Sequence, residues 1–255
     1  MTATLAIMRT AFADSRANRR SFALVVILMV INDASLIVFW SLFFGRVGTI
    51  RGWERHDIFV LFAILLTGAG IALGLFSNCR KVGQLAADGA LDEVLALPVS
   101  PLGMLLTKRV DPANIGDLVF GPVVFLLLCA PTPERAVLYL FGSAIAAVVM
   151  VSFLVTVGAL TFFVGGRGEQ AELGFQALLI FSSYPIDLFG GATKVLLFTV
   201  VPAAFVTGLP ALLVRHFNPG VMTLLVLVAA GFAGLAWATF TLGLRRYSSG
   251  SLWSR

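Results

Sequence analysis

Residues 21–45 read SFALVVILMVINDASLIVFWSLFFG and are apolar over most of their length. This run is longer than the about 20 residues that a helix needs to cross the hydrocarbon core of a bilayer. A second run, IFVLFAILLTGAGIALGLFS at 58–77, has the same character. The two stretches predict an all-α protein embedded in a membrane.

The composition of the whole chain supports that prediction. Of its 255 residues, 59% are hydrophobic and 12% are charged, and the mean hydropathy is +0.98. An average soluble domain has about 25% charged residues, so this chain has too little charge to cover a water-facing surface. The composition argues against a soluble enzyme and against a disordered protein. The net charge of +5 comes from basic residues that lie between apolar runs, which a membrane protein explains without nucleic acid as a partner.

Further apolar stretches follow at 113–130, 136–164, 173–189, 195–214 and 220–244. The stretch 195–214 differs from the others because it contains Pro202 and Pro210, which each remove a backbone donor and disfavour a regular helix. We expect this stretch to form a re-entrant hairpin on the outer side, buried against protein. The predicted fold is one transmembrane domain over 1–255, with six transmembrane helices and a re-entrant helical hairpin before the last helix.

The positions of lysine and arginine predict the orientation. With six crossings and a cytoplasmic N-terminus, 12 of the 18 basic residues lie inside and 6 outside. Seven full crossings would give 10 and 8, which fits the positive-inside rule less well. We therefore expect both termini in the cytoplasm. The first apolar run is too long for the about 7–15-residue core of a cleavable signal peptide, so we expect it to be retained.

The connection between the second and third spans, residues 79–101, has the most distinctive pattern. Apolar residues recur there at roughly helical spacing, namely Val82, Leu85, Leu91, Val94 and Leu95. Charged residues lie between them. The pattern predicts a short amphipathic helix that ends at Pro98 and Pro101. Such a helix either lies in the lipid headgroups or provides a docking surface for a cytoplasmic partner. Composition does not decide between the two.

The same connection resembles a family motif. Residues 88–101 read DGALDEVLALPVSP, which is similar to the G-x-L-D-x-x-L-x-x-P-x-S-P signature of ABC-2 type transporter permeases. A second block, 184–189 (YPIDLF) with Pro202 and Pro210 after it, resembles a pattern of the small six-helix bacterial branch of that family. The resemblance covers essentially the whole chain. One departure is that Ala96 and Leu97 stand before Pro98, where relatives often have a basic residue.

The resemblance implies a permease subunit of an ATP-binding cassette exporter in the bacterial plasma membrane. It implies a separate ATPase dimer that binds ATP and Mg²⁺, a second permease that is identical or homologous, and a hydrophobic or amphipathic cargo such as a drug, antibiotic, peptide or lipid. Residues 1–20 would form a cytoplasmic interfacial helix, and 79–101 would contain the coupling helix. The residues implied in coupling are Gly89, Leu91, Asp92, Glu93, Leu95 and Pro98, and those implied in the hairpin are Pro185, Pro202 and Pro210.

Polar residues within the spans are the other candidates for function. Asn32 and Asp33 lie near the middle of the first span, where a charged group costs about 2.5–3.5 kcal/mol to insert. Asp33 either faces a transport route between two permeases or is hydrogen-bonded to a neighbouring helix. Asp117 lies nearer the inner end of the third span, and we expect a structural role for it. Gly70 and Gly74 form a G-x-x-x-G pattern that is typical of close helix packing within a subunit.

Two other function classes remain open. A secondary transporter driven by an ion gradient would be expected to have inverted repeats or broken helices in both halves, whereas only the C-terminal half has such a break. An intramembrane enzyme would need Asp33, Asp117 and the histidines His56 and His216 to converge, which no spacing requires. The chain has no G-x-x-x-x-G-K-[ST] phosphate loop. We predict no catalytic residue, no metal site and no cofactor in this chain.

Overall fold

The computed structural model describes residues 19–166 and 168–247, which form helices and short turns and contain no strand. Helix α1 is Arg19–Val47, and α2 is Arg55–Ala69 followed by a π-helical turn, Gly70–Leu75. The other helices are α3 Val82–Ala87, α4 Leu91–Leu95, α5 Pro101–Thr107, α6 Pro112–Leu128, α7 Pro133–Ala159, α8 Thr161–Val164, α9 Glu169–Ser182, α10 Gly191–Thr199, α11 Leu209–Arg215 and α12 Pro219–Leu244. The interfacial helix expected over 1–20 lies outside the described residues except for Arg19 and Arg20, which begin α1.

Helix length and apolarity identify four candidate membrane spans, which are Phe22–Val47, Arg55–Leu75, Pro133–Val164 and Pro219–Leu244. α10 and the segment Ala204–Arg215 make a fifth candidate if they count as one span, although a bend of 77° separates them. The third and fifth predicted spans correspond to α6 and α9. These helices have 17 and 14 residues, fewer than the about 20 that a full crossing requires.

Polar contacts identify the two ends of the helix bundle. At one end, which we name the Asp187 end, Trp53 Nε1 donates to Asp187 Oδ2 over 3.0 Å just before α2 begins. At the other, the Arg80 end, Arg80 lies 3.4 Å from Glu172 just after α2 and its π turn finish. Because Glu172 is on α9 and Asp187 follows it, α9 and the turn after it extend along the bundle from the Arg80 end to the Asp187 end.

The helices differ greatly in how far the chain itself covers them. The most apolar part of the candidate span Arg55–Leu75 is 89% buried, and that of the candidate Pro133–Val164, which contains α7, is 56% buried. The corresponding windows of α12 and α1 are only 17% and 6% buried. α2 is therefore the central helix, packed against α6 and α7, while α1 lies at the periphery and packs mainly on α6.

Glycines allow α2 to approach its neighbours closely. A Cβ atom added at Gly70 would lie 2.7 Å from the Leu118 Cα atom, and one added at Gly121 would lie 2.8 Å from the Thr67 nitrogen. One added at Gly74 would lie 3.2 Å from the Asn114 carbonyl carbon. These distances leave no room for a side chain between α2 and α6. The expected packing role of Gly70 and Gly74 within the subunit is confirmed.

Replacing Gly121 with alanine should lower the stability of the purified protein. The added methyl group would force α2 and α6 apart, and overpacking of this kind costs about 1–3 kcal/mol. Thermal unfolding in detergent measures the effect. Gly231→Ala on α12 is the matched control, because no atom lies within 4 Å of its added Cβ. Equal melting temperatures for the two variants would contradict the close contact.

Candidate functional site

The 79–101 connection folds as two short helices, α3 and α4, and not as one. The turn between them contains Gly89, whose φ of +73° is a left-handed conformation that glycine adopts without strain. Ser100 accepts a hydrogen bond from the Gly103 amide at 3.4 Å, and Pro101 is the first residue of α5. Serine as N-cap and proline in the first turn are favoured ways to begin a helix. The two helices and this turn form what we call the 79–101 loop.

The apolar face of the loop packs on the rest of the protein. Leu91 and Val94 are each 1% exposed, and α4 lies against α5. The family resemblance implies a role in coupling for Leu91. Because Leu91 is buried in this conformation, its side chain supports the shape of the loop and does not contact a partner.

Most residues from Asp92 to Pro98 in the loop are exposed. Leu95 and Leu97 are 43% and 45% exposed, and Asp92, Glu93 and Pro98 are also exposed. Two leucines and a proline beside two carboxylates form a mixed apolar and acidic surface. We call Asp92–Pro98 the loop tip.

Two long-range contacts hold the acidic residues of the tip. Lys108 Nζ donates to Glu93 Oε2 over 2.6 Å, and this ammonium group lowers the pKa of Glu93 below its usual value. The Tyr247 hydroxyl donates to Asp92 Oδ1 over 3.0 Å. Sequence reasoning missed Lys108 and Tyr247 because no local pattern links them to the loop. The tip is thereby fastened to the end of α5 and to the segment after α12.

A third contact joins the beginning of the loop to α9. Arg80 lies 3.4 Å from Glu172, and its guanidinium group stacks over the Phe175 ring at 4.4 Å from the ring centre. Stacking on an aromatic face and pairing with a carboxylate are compatible because the guanidinium group is planar. The loop is therefore connected to the end of α5, to α9 and to the segment after α12.

The bent segment 191–215 is fastened at both of its ends to the Asp187 end of the bundle. Near its start, Lys194 lies 3.2 Å from Asp187 Oδ1. At its finish, Arg215 lies 3.0 Å from Asp57, with its guanidinium group 5.0 Å from the centre of the Trp53 ring. Since Asp187 also accepts from Trp53, these contacts form one connected cluster.

The three prolines assigned to the hairpin have different local roles. Pro185 lies directly before the 3-10 turn Ile186–Leu188. Pro202 lies between α10 and the π turn Ala204–Gly208, where the 77° bend occurs. Pro210 is in the first turn of α11, and the wider π turn before it accommodates the missing donor and the proline ring. Only Pro202 of these three therefore lies at the bend.

Asp33 and Asp117, which the sequence analysis treats separately, meet between α1 and α6. Both residues are buried, with 4% and 2% of their surface exposed, and their carboxyl groups lie close together. Asp33 Oδ2 and Asp117 Oδ1 have no hydrogen-bond donor among the described residues.

Asp33 is expected either to face a transport route or to bond to a neighbouring helix, and its position bears on both roles. Its carboxyl group faces α6, whereas the neighbouring Asn32 is exposed and donates to Asp33 Oδ1 over 3.3 Å. Asp33 therefore lies next to a residue of a neighbouring helix, Asp117. Within this chain, Asn32 is the member of the Asn32–Asp33 pair that lies on the exposed face of α1.

A comparison with protein-family models finds one that matches most of the chain. The model is described as ABC-2 family transporter protein, and it matches residues 30–251. This chain belongs to the ABC-2 transporter family. Searches of curated proteins and of solved structures each found no match.

Membership of the ABC-2 family makes this chain a multi-pass membrane component of a transporter, with the character of a permease. The matched region contains the 79–101 loop, the bent segment and both carboxyl groups of the Asp33–Asp117 pair. The family match also agrees with the resemblance that the loop motif carries in the sequence. The ABC-2 protein is thus a membrane component of a transport system.

Asp117→Leu should destabilise this ABC-2 protein. The substitution removes the partner of Asp33 and leaves a buried carboxyl group unsatisfied, at a cost of about 1–3 kcal/mol. Asp117→Asn retains a polar partner and should lose less. The Asp33→Leu/Asp117→Leu double variant should recover most of the loss, because apolar replacement of both partners is often neutral. Additive losses in the double variant, measured by thermal unfolding, would show that the two groups are not coupled.

Proposed function

We propose that this protein is the permease subunit of an ABC exporter that moves a hydrophobic or amphipathic molecule, such as a drug, antibiotic, peptide or lipid, out of a bacterial cell. A separate ATPase dimer binds ATP and Mg²⁺ and supplies the energy. The observation that carries the proposal is the 79–101 loop, whose exposed tip is fastened to the end of α5 and to the segment after α12 and whose base is fastened to α9.

The contacts of the loop support a role in coupling. A partner that pushes on the tip acts on Asp92 and Glu93, and through them on Tyr247 and Lys108. Motion of the loop base acts on α9 through Arg80 and Glu172. ATP hydrolysis can switch the permease only if the ATPase binds its inward- and outward-facing states with different affinity. Because the loop is linked to several helices, a rearrangement of those helices between the inward- and outward-facing states would change the position of the loop. The ATPase could then bind the two states with different affinity.

The distribution of contacts between the two bundle ends supports six crossings with a re-entrant hairpin. Both ends of the bent segment 191–215 are fastened at the Asp187 end, which favours a segment that enters and leaves on one side. α9 extends between the two ends, so it serves as a crossing despite its length. We assign the Asp187 end to the outside and the Arg80 end to the cytoplasm, with both termini inside.

The exposed faces of the peripheral helices support contacts with lipid and with a second permease. α1 exposes large apolar side chains along its length, including Leu24, Leu28 and Leu42. A surface of this kind does not remain in water. Lipid covers part of it, and an identical or homologous permease covers the rest, so that a cargo route forms between the two copies next to Asn32.

Cysteine labelling tests the proposed orientation. A membrane-impermeant maleimide should label Thr49→Cys in intact cells and Ala96→Cys only after lysis, since both positions are exposed and we place them at opposite ends. The native chain is the control. Cys79 and Cys129 are buried, and burial raises the pKa of the Cys79 thiol to about 12, which leaves little reactive thiolate. Labelling of Ala96→Cys in intact cells would reverse the orientation.

Charge at the loop tip should separate the permease from its ATPase. Leu95→Arg with Leu97→Arg removes the exposed apolar surface of the tip and leaves the packing of the core unchanged. We therefore expect at least about tenfold less ATPase subunit to co-purify. Leu95→Met with Leu97→Met is the matched control and should retain it. Leu91→Arg should instead lower the yield of folded protein, because residue 91 is 1% exposed.

The co-purification experiment also separates the exporter from the ion-driven alternative. The permease is expressed with its neighbouring genes, and ATPase activity is measured in the purified complex. Loss of the ATPase subunit in the arginine variant alone supports the docking role of the tip. A wild-type chain that purifies stably without any nucleotide-binding partner would overturn the exporter proposal and favour a secondary transporter.

A further inference from the structure

A small basic pocket lies at the Arg80 end, between the ends of two apolar helical segments. One wall is the 3-10 turn Ser77–Lys81, which follows the second span, and the other is the connection 108–111, which precedes α6. The pocket has a volume of about 180 Å³. Pockets for drug-sized molecules have about 300–1,000 Å³, so this one is too small for the proposed cargo.

Hydrogen bonds between the two walls fix the shape of the pocket. The Asp111 amide donates to the Gly74 carbonyl over 3.0 Å, and the Ser77 hydroxyl donates to the Arg109 carbonyl over 2.9 Å. Deeper in the protein, Asn78 Nδ2 donates to the Leu105 carbonyl over 2.8 Å. These three bonds hold the walls in place before any ligand arrives, which lowers the entropic cost of binding.

The charge of the pocket favours an anion. Arg80, Lys81 and Arg109 line it together with one acid, Asp111. Arg80 is paired with Glu172, and Asn114 donates to the Asp111 carboxylate over 3.1 Å. Lys81 and Arg109 are exposed, and neither side chain has an ion pair within residues 19–166 and 168–247. Two cations therefore remain available on opposite walls of one pocket.

We propose that this pocket binds the phosphate of an anionic phospholipid headgroup. Lys81 and Arg109 contact the phosphate from the two walls, and the Asn114 amide lies beside it. The apolar residues Leu73 and Val110 also line the pocket and suit the glycerol part of a lipid. Basic pockets between transmembrane helices on the cytoplasmic side are known to bind lipid headgroups.

The location favours a lipid over a soluble anion or an acidic protein surface. The second span ends at Leu75, two residues before the pocket wall begins, and the apolar part of α6 begins at Asn114. A headgroup bound here would have its acyl chains beside the apolar surface of α6, where Val119 is 64% exposed. A soluble phosphate would gain nothing from that surface.

Lipid titration of the full chain tests the proposal. Native mass spectrometry of the delipidated protein in detergent measures the affinity for phosphatidylglycerol, with phosphatidylcholine as the zwitterionic comparison. Lys81→Gln with Arg109→Gln should weaken phosphatidylglycerol binding at one site by about 25-fold, from about fivefold for each cation. Arg20→Gln with Arg245→Gln removes the same charge from exposed positions outside the pocket and should leave that site intact. Lys81→Arg with Arg109→Lys keeps both charges and should also retain the lipid.

Several results would overturn the proposal. One is equal affinity of the glutamine variant and the wild type for phosphatidylglycerol. Another is that the wild type binds phosphatidylcholine as tightly as phosphatidylglycerol. A third is that inorganic phosphate displaces the bound lipid at the same concentration as free phosphatidylglycerol does. A glutamine variant that keeps the lipid but loses the ATPase subunit would assign Lys81 and Arg109 to protein docking. Because the titration uses the permease alone, failure of the ATPase proposal leaves its result unchanged.

Discussion

Close approach of helix backbones at Gly70 and Gly121 is the constraint on which the rest of this bundle depends. Inside a bilayer, apolar side chains gain little by leaving lipid, so helices associate through tight packing and hydrogen bonds. α2 meets this requirement by contacting α6 without intervening side chains. The same approach places the end of α2 and its π turn beside the start of α6, where the 79–101 loop and the basic pocket are built.

The sequence predicts the features that depend on local chemistry. Length and apolarity locate α1, α2, α7 and α12, since a bilayer requires long uninterrupted apolar helices. The G-x-x-x-G pattern in the π turn that follows α2 identifies a packing surface, and prolines identify the bent segment. Helices also form at α6 and α9, where two further spans are predicted, but at 17 and 14 residues their lengths do not identify them as crossings. Each of these features is determined by the residues of a single stretch of sequence.

The features that sequence reasoning missed depend on pairs of distant residues. Tyr247 contacts Asp92, and no pattern near either residue indicates the other. The helical spacing in the 79–101 loop identifies an apolar face but not what covers it, so it does not reveal that Leu91 packs inward. The contact between Asp33 and Asp117 likewise depends on how α1 packs on α6, which neither helix determines alone. Tertiary packing decides all three.

The order of synthesis gives the Asp33–Asp117 contact a consequence for membrane insertion. Asp33 enters the bilayer first, and 84 residues separate it from Asp117, so at about 5–20 residues per second its partner follows about 4–17 s later. During that time α1 holds a lone carboxyl group among lipids, at a cost of about 2.5–3.5 kcal/mol. Its many leucine, isoleucine, valine and phenylalanine residues, each favouring insertion by about 0.3–0.6 kcal/mol, outweigh that cost. The apolarity of α1 thus compensates for its carboxyl group until α6 has been synthesised and inserted.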